Sequence, residues 1–396
     1  MTNSDWFKQA IVYHVVIDRF AGYGSGDWSK PRFLGGNLKS IAEKLGYLKE
    51  LGINTLWLSP FCKTSAYHGY HVTDFMSIEP SFGRLEDLQE LIKKAGGNGI
   101  RIIADFVPNH CSRFHPFFVE AQKDKNSKYL KWFTFIKWPH DYLCFLDFKA
   151  LPKLNLDNLE TRDHIVHAAK YWLSMGIDGF RIDHVMGPKH SFWRYFRNEI
   201  KAAFPQAVLI GEAWLEGLNF NHLKTININN KYIRWLFKVT QDSVQKEYYG
   251  ELDGVLDFRF REIVKTYIAR GPAHEKPTAL EPVVKRHFAE YPSDYVLPTF
   301  LDNHDMNRFL FECRNDIEKL KVAASIQFQL EQPVIIYYGT ETGMTHRKPV
   351  AVNRPHSDLQ ARQPMNWQKP NAEIFNFYRE LIKNRVQKQR GENGNT

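Results

Sequence analysis

Residues 179–185 read GFRIDHV, an apolar, strand-like run interrupted by Arg181 and Asp183. Buried charge is costly unless it is paired. Strand side chains alternate with period two, so Arg181 and Asp183 share one face, and an arginine there can hold a neighbouring carboxylate ionised. Taken alone, that spacing suits a structural ion pair as well as a functional one. The weight comes from the surroundings, because this is one of eight similar strand runs.

Upstream, AIVYHVVI (10–17), INTLWLSP (53–60) and IRIIADFV (100–107) read as strands. Between them lie helical patterns, one with Leu38, Ile41, Leu45 and Leu48 on a single face and one over 85–94. Downstream, a helix carrying Ile165, Ala168, Trp172 and Met175 leads into the 177–185 strand, and a helical pattern over 192–204 leads to AVLIGEAW (207–214); LDGVLDFRF (252–260), YVLPTFLDNHD (295–305) and PVIIYYG (333–339) follow, each with a helical pattern after it. Alternation implies parallel strands with crossover helices, and eight units fit a closed (β/α)8 barrel. A doubly wound open sheet is the alternative, but no GxGxxG follows the first strand. Residues 108–158 break the pattern and are too long for a plain loop, so they read as an inserted domain between the third strand and its helix. The barrel then comprises 1–107 and 159–386, and 387–396 is a polar tail expected to be disordered.

Composition narrows the function classes. The chain has 396 residues, 43% hydrophobic and 24% charged, as expected for a globular protein able to bury a large core. The net charge of +9 is dispersed without a dense basic block, so no nucleic-acid partner is expected. No signal-like start or membrane-length apolar run is present, and the four cysteines form no CxxC. These features imply a cytoplasmic protein without a membrane partner, with thiols reduced and a homo-oligomer left open.

Active sites of such barrels lie at the C-terminal ends of the strands. Polar residues collect there: Asp105, Asn109 and His110 after the third strand, Arg181, Asp183 and His184 on the fourth, Glu212 and Trp214 on the fifth, and Asp302 to Asp305 on the seventh. Several carboxylates with imidazoles suit glycosidic cleavage, in which one attacks the anomeric carbon, one donates and accepts a proton, and one steadies positive charge. The same residue types also occur in metal-dependent hydrolases, although the first strand carries no HxH pair.

DFVPNH (105–110), GFRIDHV (179–185), GEAW (211–214) and FLDNHD (300–305) resemble, in order, the four short regions of the α-amylase family, glycoside hydrolase family 13. YHGYHVTDF (67–75), LPKLN (151–155), IIYYGTETGM (335–344) and RQPMNW (362–367) extend the resemblance over nearly the whole chain. It implies a retaining hydrolase of α-glucans or maltooligosaccharides. Asp183 would be the nucleophile, Glu212 the general acid/base and Asp305 the transition-state stabiliser. Arg181 would orient Asp183, while Tyr70, His110, His304 and Trp214 would contact substrate. Asp105 and Asn109 would give structural support. Transglycosylation, action on sucrose or trehalose, and a non-catalytic family member are the alternatives. The endo-acting α-amylases have a Lys-His pair where this chain has Met186 and Gly187, and a calcium-binding Asp where it has Lys153. No metal or other cofactor is therefore expected, even though Asn109 resembles a calcium ligand. LPKLN is closer to the neopullulanase and cyclomaltodextrinase side of the family. The family's usual C-terminal β-sandwich is expected to be missing.

Overall fold

The computed structural model describes residues 5–229, 238–271, 280–351 and 354–393. The strands are β1 (Ile11–Val15), β2 (Thr55–Leu58), β3 (Arg101–Phe106), β4 (Gly179–Ile182), β5 (Val208–Gly211), β6 (Gly254–Val255), β7 (Thr299–Phe300) and β8 (Val334–Tyr337). They belong to one sheet in the order β6-β5-β4-β3-β2-β1-β8-β7. The defined registers of this sheet are all parallel. Neighbours are consecutive in the chain except where the first strand, β1, pairs with the last, β8, and the two ends, β6 and β7, are themselves consecutive. Just beyond β6, the Asp257 N–H donates to Pro298 O at 3.0 Å, just before β7. This is the order of a (β/α)8 barrel, whereas a doubly wound sheet reverses direction at a switch point.

Contacts divide the chain into two compact units, one of Met1–Trp57, Glu90–Ile102 and Leu256–Thr396, the other of Leu58–Gln89 and Ile103–Val255. In the first, β1 pairs with β8 and β8 with β7. The hydroxyls of Tyr13 and Tyr47 donate to Glu341 Oε1 at 2.7 and 2.5 Å, which solvates a buried carboxylate otherwise costly to keep. His14 stacks on Trp57 with ring centroids 3.6 Å apart.

The second unit contains the β3-β4-β5-β6 ladder. Helix Leu159–Ser174 starts where Asn158 Oδ1 accepts from the Thr161 N–H, and it buries Ile165, Ala168, Ala169 and Trp172 on one face. Trp172 Nε1 donates to Phe75 O at 2.8 Å, and its ring meets Phe61 edge-on at 4.8 Å. That contact ties the helix to the antiparallel pair Cys62–Thr64 and Val72–Ile78 that follows β2. Residues 108–158 fall within this unit and carry helix Pro116–Lys123 and two short antiparallel pairs.

Some expected elements differ. The first helical pattern is split at Lys44 into Leu38–Glu43 and Leu45–Leu51, although its four apolar residues are all buried. The 252–260 run is strand only at 254–255, because Asp257 Oδ1 accepts from the Phe260 N–H and starts a helix at Phe258. A helix at Leu280–Ala289 was not foreseen. The last helix continues to Asn393, so the tail expected to be disordered is helical through that residue, consistent with its Gln, Lys and Arg content. All four cysteines are buried thiols. Among the described residues, no helix is long and apolar enough to cross a membrane.

Trp172→Ala should lower the unfolding free energy by about 3–5 kcal/mol, read from urea titration, and Trp172→Phe should recover most of it. Equal losses in the two variants would show that the indole hydrogen bond, not ring packing, dominates.

Candidate active site

The centre of the second unit is Arg181, on β4. Register sets Arg181 opposite Asp105 on β3 and opposite Ile210 on β5. The ladder then runs past the strand ends, with Asp183 N–H donating to Phe106 O at 2.8 Å and Glu212 N–H to Ile182 O at 2.9 Å. Period-two alternation therefore brings Asp105, Arg181, Asp183 and Glu212 to one face. The Arg181 guanidinium is buried and meets all three carboxylates: Nη1 lies 2.7 Å from Asp105 Oδ1 and 3.0 Å from Asp183 Oδ1, and Nη2 lies 2.5 Å from Glu212 Oε1. The pairing with Asp183 follows from strand spacing, whereas those with Asp105 and Glu212 depend on sheet register.

One positive charge faces three negative ones. Burial pushes the Asp105 carboxyl up to about 7, and the Asp183 charge adds to the rise, against the pull of Arg181. Tyr70 donates from its hydroxyl to Asp105 Oδ2 at 2.7 Å.

His184 has a left-handed backbone at φ 43°, uncommon for a residue other than glycine. That conformation lets its N–H donate to Glu212 Oε2 at 3.1 Å. Strain of this kind costs on the order of 1–3 kcal/mol and is typical of functional sites. Burial drives the imidazoles of His184 and His110 toward the neutral form, His110 down to about 3. Their Nε2 atoms are buried without a hydrogen-bond partner among the described residues. Phe145 lies between them, with ring centroids 4.9 Å from His110 and 4.7 Å from His184. Unsatisfied buried ring nitrogens, able to donate or accept, suit a hydroxyl-rich ligand. Trp214 follows Glu212, and its backbone is clamped on both sides by Gln241, which donates to Ala213 O at 2.5 Å and accepts from Leu215 N–H at 3.1 Å.

Asn109 and Lys153 also lie in this unit. Leu154 N–H donates to Asn109 O at 3.0 Å, and Lys153 Nζ donates to Gly187 O at 2.7 Å and Thr225 O at 2.8 Å. Among the described residues, no group of three or more His, Cys, Asp or Glu side chains could hold a metal ion.

In the first unit, Asp305 accepts from Arg362 Nη2 at 2.6 Å through Oδ1 and lies 2.8 Å from His304 Nε2 through Oδ2. Arg362 Nε also donates to His304 O at 2.9 Å. Asp302, by contrast, is buried, caps the Phe309 N–H at 2.7 Å and accepts from Thr340 Oγ1 at 2.8 Å, a structural use. Sequence reading gave no role to Arg362, Gln241 or His184. Arg362 stood in plain view in RQPMNW, but nothing local indicates that it grips a carboxylate 57 residues away.

Comparison with known proteins fits this geometry. A family model described as the α-amylase catalytic domain matches residues 14–141 and 136–390. The chain belongs to the α-amylase family. It is 37% identical over 387 residues to α-amylase 2 of Dictyoglomus thermophilum, covering 96% of this chain and 63% of that protein. It is 31% identical over 405 residues to neopullulanase 2 of Thermoactinomyces vulgaris, again covering 96% and 63%. The solved structure of the cyclic α-maltosyl-(1→6)-maltose hydrolase of Arthrobacter globiformis, in complex with that sugar, matches with a TM-score of 0.81 at 26% identity, covering 97% of this chain and 83% of that one. The chain thus spans about 63% of the length of the two curated relatives. Neopullulanase and cyclomaltodextrinase relatives agree with the side of the family indicated by LPKLN.

Arg181→Met should cost about 3–5 kcal/mol at neutral pH, because three buried carboxylates lose their counter-charge. Without the arginine their folded pKa values rise further, beyond the already raised value of Asp105, so more of the variant's stability is present in acid and lost as pH increases. The difference in melting temperature between wild type and variant should therefore narrow from about pH 8 to about pH 5. A gap that does not vary with pH would remove Arg181 as the counter-charge.

Proposed function

We propose that the chain hydrolyses α-glucosidic bonds in α-glucans or maltooligosaccharides with retention of anomeric configuration. The observation that carries this reading is the single guanidinium joining Asp183 and Glu212, two carboxyls suited to different tasks. Arg181 favours the ionised form of Asp183, whose carboxylate attacks the anomeric carbon as the bond to the leaving oxygen breaks. Glu212 transfers its proton to that oxygen. Glu212 then takes a proton from water, whose oxygen attacks the same carbon and displaces Asp183. Two inversions give retention.

Asp305 serves as the stabiliser through sugar hydroxyls, oriented by Arg362 and His304. His110 and His304 hydrogen-bond the sugar, and Tyr70 and Trp214 offer aromatic surface to it. Asp105 keeps Arg181 in place, and Asn109 supports the loop after β3. The relatives' names, α-amylase 2 and neopullulanase 2, support the substrate class. Four buried thiols support a reducing, cytoplasmic setting.

The deciding experiment is the product profile from maltoheptaose, with Asp183→Asn as control. Exclusively shorter sugars are expected, with Glu212→Gln lowering kcat by about 10²–10⁴-fold. Longer sugars beside shorter ones would make the chain a glucanotransferase. Wild type indistinguishable from Asp183→Asn would overturn the α-glucan assignment.

A further inference from the structure

We propose that the Lys153 ammonium is a tethered cation that does the work of a bound metal ion and positions Glu212. The second half of this inference rests on the acid/base role given to Glu212 above. Lys153 is anchored by its main chain, its N–H donating to Leu143 O at 2.9 Å. From there Nζ donates to Gly187 O and Thr225 O, joining three segments distant in sequence. Gly187 O also accepts from Asn227 Nδ2, and the Asn227 N–H bonds Met186 O. Gly187 has no room for a side chain, because a Cβ there would lie 1.9 Å from Asn109 Oδ1. Asn109 Oδ1 is itself buried and accepts no hydrogen bond among the described residues. Two neutral carbonyl oxygens, those of Gly187 and Thr225, therefore gather around one ammonium.

A divalent cation does not fit this arrangement. Calcium takes six to eight oxygens, carboxylates among them. Here the acceptors bonded to Nζ are neutral carbonyls, and the ammonium carries the charge that a metal would supply. The disagreement with the family's calcium site is thus chemical, because a fixed cation occupies the donor set.

The consequence reaches the catalytic residues through one turn. Gly187 N–H donates to His184 O at 3.0 Å, and His184 N–H donates to Glu212 Oε2 at 3.1 Å. Lys153 holds the far end of this turn, where Gly187 O accepts its proton. Removing the ammonium frees the turn, and with it the left-handed His184 that presents its N–H to Glu212. Lys153 is a positioning residue, acting through the backbone of residues 184–187.

Three measurements test it. Elemental analysis and thermal melting of the wild-type chain, with chelator and with added Ca²⁺, should show no stoichiometric metal and an unmoved midpoint. Bound calcium, or a melting point that falls with chelator and returns with Ca²⁺, overturns the tethered cation. In steady-state kinetics, Lys153→Met should lower kcat by about 10–100-fold with KM little changed, and Lys153→Arg should restore most of it. Wild-type kcat in Lys153→Met overturns the positioning role. If Lys153→Met fails to fold, the wild-type metal measurement still decides the first half. If Glu212→Gln keeps full activity, the acid/base assignment fails while the metal result stands by itself.

Discussion

The Arg181 guanidinium is the constraint on which the rest of the second unit depends. It is buried, it contacts Asp105, Asp183 and Glu212, and it supplies one charge to three. Buried ion pairs add little stability over apolar packing, but losing one partner is severe. The arrangement therefore serves specificity of position. Two carboxyls from neighbouring strands are held on one fork, and burial raises the third, Asp105. The parallel ladder makes this possible, since register alone sets residues 105, 181 and 183 on a common face.

Around that fork, side chains bonded to backbone groups fix much of the geometry. Glu212 is oriented by the N–H of a left-handed His184. The turn that holds His184 is in turn held by an ammonium and an asparagine acting on carbonyls. Gln241 fixes the loop carrying Trp214 by bonding backbone on either side of it. Loops at the ends of barrel strands have no regular ladder to restrain them. Charged and amide side chains reaching in from distant segments replace that ladder. In the first unit, Arg362 plays the same part for Asp305 and for the carbonyl of His304.

Much of this was legible in sequence. Eight alternating units named the barrel, and the strand-end carboxylates and arginine were identifiable from position. Parity predicted that Arg181 and Asp183 share a face, a local property. Errors fell where a side chain overrides periodicity. Asp257 starts a helix where the apolar run continued as a strand, while the break at Lys44 lies in the backbone, at φ −96°, and leaves the apolar face regular. The helix to Asn393 was missed because polarity was given more weight than helix propensity.

By itself, then, the sequence determined the strand and helix alternation, the apolar faces and which residues stand at strand ends, because each depends on spacings of two to four residues. Tertiary structure decided who partners whom. Glu212 as the third ligand of Arg181, Lys153 bonded to the carbonyls of residues 187 and 225, and Arg362 on Asp305 are contacts across 31 to 72 residues. Such pairings follow from sheet register and loop packing. No local pattern encodes them, because the same residue types at the same spacing would meet other partners if the strands paired differently.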